Sequence, residues 1–363
     1  MAGEKGAFVQ SKSLQFIRLS ADRVVLKRGI NEMMLSGPGV QSIVEPLVEI
    51  LGNGRTREEI VAAFPADLQG EVQGLLTKLL VRRLISEGPG DGPDTAPGDG
   101  AGPEALQGAF WWNFGDLGLE APQRLHEARI VVVGANLIAR SLVRSLLEMG
   151  VGRVTLIRHP ILDNHLIPFD DAPLRAAGPG RLEREESLPA EEALAGAALL
   201  CAASDFGQPD ALVEINRVAL RTGTPFLPVW LSEMVGFVGP LNHPYETACL
   251  NCLRARTDSN NPDFEAARAV RTHMATHADA RHGAGLLPPM TGVLGEIAAM
   301  EAAKHVGRFT YNDTVARVIE INLISFAAAV RRVLKIPRCP VCSEMMRQPS
   351  RSLTVGPQLP REN

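Results

Sequence analysis

Apolar residues recur along this chain in several rhythms, and each marks a different element. Gln15–Leu19, Arg23–Lys27 and Asn31–Leu35 are short runs that read as strands of a small meander, closed by Gly37-Pro38-Gly39. From Val40 the spacing becomes helical: Ile43, Val44, Leu47, Val48 and Leu51 share one face, and the helix stops near Gly52-Asn53-Gly54. Thr56 and Glu59 form a capping box that opens a second, short helix. A third helix is expected over residues 70–85, burying Val72, Leu75, Leu76, Leu79 and Leu80.

After a break the pattern changes class. Arg129-Ile-Val-Val-Val-Gly134 is a buried parallel strand, residues 135–149 a helix with Gly150 as its C-cap, and Arg153–Ile157 a second strand. This is a βαβ unit. Ala197–Ala203, Pro225–Leu231 and Met234–Gly239 add strands, with a helix over Pro209–Gly223. A long helix covers Met290–Val306 and a late strand Val315–Asn322, whereas Asp163–Arg184 reads as irregular and Thr257–Leu287 as long and polar. The fold class is therefore α/β: a winged helix-turn-helix module followed by a doubly wound, mostly parallel sheet with helices on both faces.

Composition refines the boundaries. Gly88–Pro103 holds 10 Gly or Pro in 16 residues, a linker signature. The expected division is 1–88 for the first module, 89–107 for the linker, 108–345 for the sheet domain and 346–363 for a disordered polar tail. Phe110-Trp-Trp-Asn-Phe114 reads as an aromatic segment docked on the next domain or on a subunit partner. Residues 1–88 carry 11 Lys+Arg against 10 Asp+Glu, and the whole chain has a net charge of −4. That balance argues against a nucleic-acid partner. No apolar run is long enough for a membrane span and the first residues lack a signal-peptide core, so the expected location is the cytoplasm, with no membrane partner.

Cys249-x-x-Cys252 and Cys339-x-x-Cys342 are two knuckles separated by 86 residues. Four thiolates complete a tetrahedral zinc shell with no open position, so the zinc is expected to be structural. Cys201 lies inside an apolar strand and reads as a packing residue. His273 and His277 are four apart on a polar segment, without the glutamate of a catalytic zinc helix. The turn after the first strand of the βαβ unit keeps one glycine, Gly134, where a phosphate-binding turn needs several. Arg158 stands where an acidic residue would hold a ribose.

These features together resemble the ThiF-like, ubiquitin-activating-enzyme-like superfamily of bacterial adenylating enzymes. The likeness rests on Val131–Gly134, Gly150–Ile157, Ala203-Ser-Asp205 with Asn216, Gly236, the helix Gly292–Lys304 and both cysteine pairs. It implies that Asp205 corresponds to the magnesium-linked aspartate, so Gly134 and Asp205 mark a vestigial nucleotide pocket. The glycine-rich turn, the ribose acid and the downstream arginine of such enzymes are replaced here by residues 135–139, Arg158 and Asn164–Pro168, and the Thr257–Leu287 crossover holds no cysteine. ATP and magnesium are therefore not expected cofactors.

The first module looks like the recognition element that binds leader peptides of ribosomally made, post-translationally modified peptides. With an eroded activating-enzyme domain behind it, the chain resembles the partner protein of azole- and azoline-forming or thiopeptide cyclodehydratases. The resemblance implies a non-catalytic recruiting subunit that presents a precursor to a YcaO-type enzyme, with a homodimer as a further state. The leader would add as a strand beside Asn31, Met33 and Leu35 and lie against Leu75, Lys78, Leu79 and Arg82. The alternatives are an ATP-dependent enzyme that adenylates a peptide carboxylate and a DNA-binding regulator.

Overall fold

A computed structural model describes residues 8–11, 14–53, 55–88, 103–187, 191–194, 196–283 and 285–343. Most of the expected linker and all of the expected tail lie outside the described residues. The chain divides into two compact units, Met1–Ala121 and Pro122–Asn363.

In the first unit the elements run β1 (Phe8–Gln10), β2 (Gln15–Ser20), β3 (Arg23–Arg28), β4 (Asn31–Ser36), α1 (Val40–Leu51), β5 (Arg55–Thr56), α2 (Arg57–Ala62), α3 (Gln69–Val81), β6 (Ser86–Gly88) and α4 (Pro103–Trp112). The expected meander is present as an antiparallel sheet of order β2-β3-β4. A second sheet, β5-β1-β6, joins segments far apart in sequence. The module is thus built on two small antiparallel sheets rather than as a plain helix-turn-helix. The reason is length: strands of two and three residues carry no periodic signal, and only the packed core brings them together.

That core is formed by Val24, Leu26, Val44, Leu47, Leu51, Ile60, Val72, Leu76, Leu79 and Leu84, all fully buried. Thr56 and Glu59 make the capping box the sequence announces. The aromatic segment docks on this same unit, unlike the expectation. The Arg28 guanidinium sits 3.3 Å above the Trp112 ring, Trp112 Nε1 donates to the Arg83 carbonyl at 3.2 Å, and the Ile30 amide donates to Asn113 Oδ1 at 3.3 Å. A cation held on an indole face and two backbone hydrogen bonds fix α4 to the β3–β4 turn and the end of α3.

Helix α5 (Asp116–Glu127) leads into the second unit. There follow β7 (Arg129–Val133), α6 (Leu137–Glu148), β8 (Arg153–Ile157), α7 (Ala172–Ala177), β9 (Leu182–Glu185), α8 (Glu191–Leu194), β10 (Leu199–Ser204), α9 (Asp210–Thr222), β11 (Phe226–Ser232) and β12 (Val235–Val238). The chain then runs through α10 (Leu250–Ser259), α11 (Phe264–Thr276), α12 (Pro288–Gly307), β13 (Arg317–Asn322) and β14 (Ala328–Arg332). One eight-stranded sheet has the order β14-β13-β12-β11-β10-β7-β8-β9. The strands from β9 to β11 are parallel, and β12, β13 and β14 continue antiparallel. Strand β9 and helix α7 occupy a stretch that reads as irregular, because Leu182 alone in β9 is buried and edge strands need little apolar patterning.

Helix α12 crosses α6 at close range. A Cβ on Gly295 would stand 2.5 Å from Ser141 Cβ and 2.7 Å from the Ile138 carbonyl. The same helix lies over β12, where a Cβ on Gly236 would meet Leu294 at 2.2 Å. Ser141 donates to Glu296 at 2.7 Å across the helix pair. Gly295→Leu should force the helices apart and lower unfolding free energy by about 1–3 kcal/mol, read as a lowered Tm by calorimetry.

Candidate functional site

The turn between β7 and α6 stands at the carboxyl end of the parallel strands, where such sheets bind ligands. Gly134 has φ 100°, and a Cβ there would lie 2.7 Å from the Ala203 carbonyl and 2.9 Å from Leu162 Cβ. The glycine is therefore demanded by the close approach of β10 and the β8 loop. The turn's backbone donors are spent inside the protein. The Gly134 amide donates to the Ile157 carbonyl at 2.9 Å, and the Ala135 amide to Asp163 Oδ1 at 2.6 Å.

Asn136 completes the closure. It is extended (φ −137°, ψ 179°) and caps α6, its Oδ1 accepting from the Ala139 amide at 3.0 Å. Its Nδ2 donates to the carbonyls of Leu162 at 2.9 Å and Ala203 at 2.8 Å. The helix N-terminus, with its positive dipole end, thus faces a side chain of its own. Asp163 supplies the negative charge: it accepts also from the His159 amide at 3.0 Å and from Arg158 Nε at 2.8 Å. The ion pair raises the Arg158 pKa, and burial lowers that of His159.

Asp205 follows β10 directly, and its side chain is fully buried. Asn164 Nδ2 donates to Asp205 Oδ2 at 2.8 Å, and His282 Nε2 lies 2.9 Å from Oδ1. Asn164 Oδ1 accepts the amides of Leu166 and Ile167, both at 2.9 Å. Arg281 pins the segment that carries His282: its guanidinium donates to the carbonyls of Pro160, Ile161, Met274 and Ala275 at 3.0–3.2 Å. Burial lowers its pKa. The polar stretch before α12 thereby becomes a wall of the site.

Cys249, Cys252, Cys339 and Cys342 are all buried, with every Sγ within 4.8 Å of the others. Three of the sulfur separations are 3.8, 3.8 and 3.5 Å. A tetrahedron with metal–sulfur bonds of about 2.3 Å has edges of about 3.8 Å, so the four thiols fit a metal ion of that preference. Cys201 is fully buried in β10 and its thiol is pushed up to about 12, which leaves it inert as a nucleophile. His273 and His277 stack at 4.1 Å on an exposed helix end, and among the described residues no third ligand joins them.

On the first unit, Met33, Leu35 and Leu75 are half-buried at the margin of one core. Asn31 is half-buried, and Lys78 and Arg82 are exposed. Leu79 is different: it is fully buried within the core, so its side chain supports the surface from beneath. Sequence reasoning passed over Asn136, Asp163, Arg281 and His282. Only Asn136 carries a local signal, an N-cap residue before a helix; the others act through contacts 28 to 121 residues away.

Asn136→Ala removes the cap and leaves two buried carbonyls short of a donor. Urea unfolding should report a loss of roughly 2–4 kcal/mol.

Residues 176–343 match the ThiF family. The match begins downstream of the β7–α6 turn. The chain is 26% identical over 248 residues to the vegetative HesA protein of Trichormus variabilis, covering 62% of this chain and 84% of that protein. Among solved structures, Escherichia coli MccB with selenomethionine MccA superposes with a TM-score of 0.65 at 13% identity, covering 93% of this chain and 100% of that one. MccB with ATP gives a TM-score of 0.65 at 14% identity, covering 93% and 99%. A heterocyclase in complex with substrate and cofactor gives 0.59 at 17% identity, over 93% of this chain and 40% of that chain. These structural likenesses establish a shared fold. The match to the ThiF family thus covers the part of the second unit that runs from α7 to the second cysteine pair.

Proposed function

We propose that this protein is a non-catalytic recruiting subunit. It binds the leader of a ribosomally made precursor peptide through its first unit and brings the peptide to a separate, ATP-dependent YcaO-type cyclodehydratase that forms azoles, azolines or a thiopeptide. The observation that carries this reading is the Asp163 carboxylate seated on the Ala135 amide beside the self-capped α6. An adenylating enzyme needs those donors for a nucleotide phosphate, and here an internal anion takes them.

Peptide capture rests on β4. It pairs with β3 alone among the described strands, so its outer edge offers unpaired backbone groups to an added strand. Met33, Leu35 and Leu75 give that edge an apolar margin, and Lys78 and Arg82 supply exposed positive charge for acidic leader residues. The likeness to MccB with MccA and to a heterocyclase with its substrate supports a peptide-handling role. The match to the heterocyclase covers 40% of that chain. Tethering the leader raises the effective concentration of the modified region at that partner.

The four thiols are proposed to hold one structural zinc. With all positions filled, the ion activates no water and ties α10 to the segment after β14. A second reading, an ATP-dependent enzyme that adenylates a peptide carboxylate, is favoured by Asp205 at the end of β10 and by the likeness to MccB with ATP.

Fluorescence polarisation with a labelled synthetic leader peptide of alternating apolar and acidic residues should show binding. Lys78→Glu with Arg82→Glu should weaken it about tenfold or more without changing circular dichroism, and unaltered affinity would remove this surface. The purified chain should give no ATP–pyrophosphate exchange; exchange abolished by Asp205→Ala would establish the second reading. Metal analysis should find one zinc per chain, and Cys252→Ser should lose it together with several degrees of Tm.

A further inference from the structure

Each of the two cysteine knuckles is folded by its own backbone. Cys249 is the N-cap residue of α10, extended at φ −96° and ψ 173°, and its side chain makes no hydrogen bond to the helix it caps. Its sulfur therefore stays with the cluster, while the Cys252 amide returns to the Cys249 carbonyl at 3.0 Å and closes the first turn. In the second, the Cys339 amide donates to the Ile336 carbonyl and the Ser343 amide to the Cys339 carbonyl, both at 3.1 Å. Ser343 Oγ also donates to the Pro337 carbonyl at 2.5 Å.

Two further donors cross from one knuckle to the other. Asn251, between the first pair of cysteines, donates through Nδ2 to Cys339 Sγ at 3.4 Å. In return the Ile336 amide, ahead of the second pair, donates to Cys252 Sγ at 3.4 Å. These bonds span 88 and 84 residues, so neither forms until the knuckles meet. A divalent ion among four thiolates leaves an excess of negative charge, and all four cysteines are fully buried. Buried charge has to be met by fixed dipoles, and hydrogen bonds to an ionised acceptor are the strong ones. The Ile336 donor belongs to the backbone and is there whatever the residue. The Asn251 donor is a half-buried side chain, so the residue type at this position decides whether Cys339 receives it.

From this reciprocal pair we propose that Asn251 is a positioning residue of the metal centre. Its amide offsets charge on Cys339 and fixes one knuckle against the other, and so slows loss of the ion. The inference rests on the reading of the four thiols as a site for a divalent metal. Leucine and aspartate match asparagine closely in size, but neither leucine nor an ionised aspartate can donate to the sulfur.

The test uses the full chain with cobalt(II) and with zinc. Cobalt(II) in the wild-type chain should give the ligand-field and charge-transfer bands of a tetrahedral four-thiolate site. Asn251→Leu should keep the ligand-field bands and move the sulfur-to-metal charge-transfer band to lower energy, because a thiolate that accepts no hydrogen bond releases an electron more readily. Zinc transfer to a chromophoric chelator should become about tenfold faster or more. Asn251→Asp should be faster still, since its carboxylate adds a negative charge beside Cys339 without changing the outline of the side chain. Circular dichroism of the zinc-loaded variants should match that of the wild type. An unmoved charge-transfer band with unchanged zinc transfer in Asn251→Leu, or wild-type transfer in Asn251→Asp, would overturn the proposal while leaving the metal site standing. A wild-type chain that takes up neither metal would overturn the reading of the thiols, and this proposal with it.

Discussion

A carboxylate sits where this architecture elsewhere places a phosphate. Asp163 reaches back to the Ala135 amide, takes the His159 amide and pairs with Arg158, so a single side chain neutralises the region that a bound anion would occupy. Asn136 does the same for the helix behind it by capping α6 and bridging to Leu162 and Ala203. Bound phosphate must compete with donors already paired at hydrogen-bond distance, and it must approach a fixed negative charge. The frame of the second unit is intact because it depends on buried strands and on the tight α6–α12 crossing, neither of which needs a nucleotide.

The consequences extend along the carboxyl ends of the strands. With the turn closed, Asp205 is turned to internal duty, holding Asn164 and His282. His282 is presented by a segment that Arg281 staples to backbone carbonyls of Pro160 and Ile161, so the β8 loop and the crossover form one wall. The space behind that wall is apolar and ringed by guanidinium groups. The sheet thus encloses a shaped cavity of ordinary binding size beside Asp205.

How far the sequence could be read varied with the range of the interactions involved. The cysteine pairs were legible because each pair is local, and thiolates at that spacing have few other uses; their meeting across 86 residues followed from the tetrahedral shell. Strands β7, β10 and β11 were legible from unbroken apolar runs, since a strand buried on both faces leaves no polar position. Strands β1, β5, β6, β9 and β14 were not, being short or at edges where patterning is weak. The docking of Trp112 on Arg28 could not be foreseen either: an aromatic run states that area must be buried, and the chain's path decides against what.

Local periodicity, capping residues and paired cysteines thus determined by themselves the α/β class, the small sheet-bearing module ahead of it and the four-thiol cluster, because those signals arise from neighbours within a turn or a strand. Tertiary structure alone decided what the Ala135 amide and the start of α6 pair with, and what lines the cavity. Asp163, Asn164, Arg281 and His282 lie in segments without periodicity, and their roles come from hydrogen bonds to residues brought close only when the sheet and its crossover close on each other.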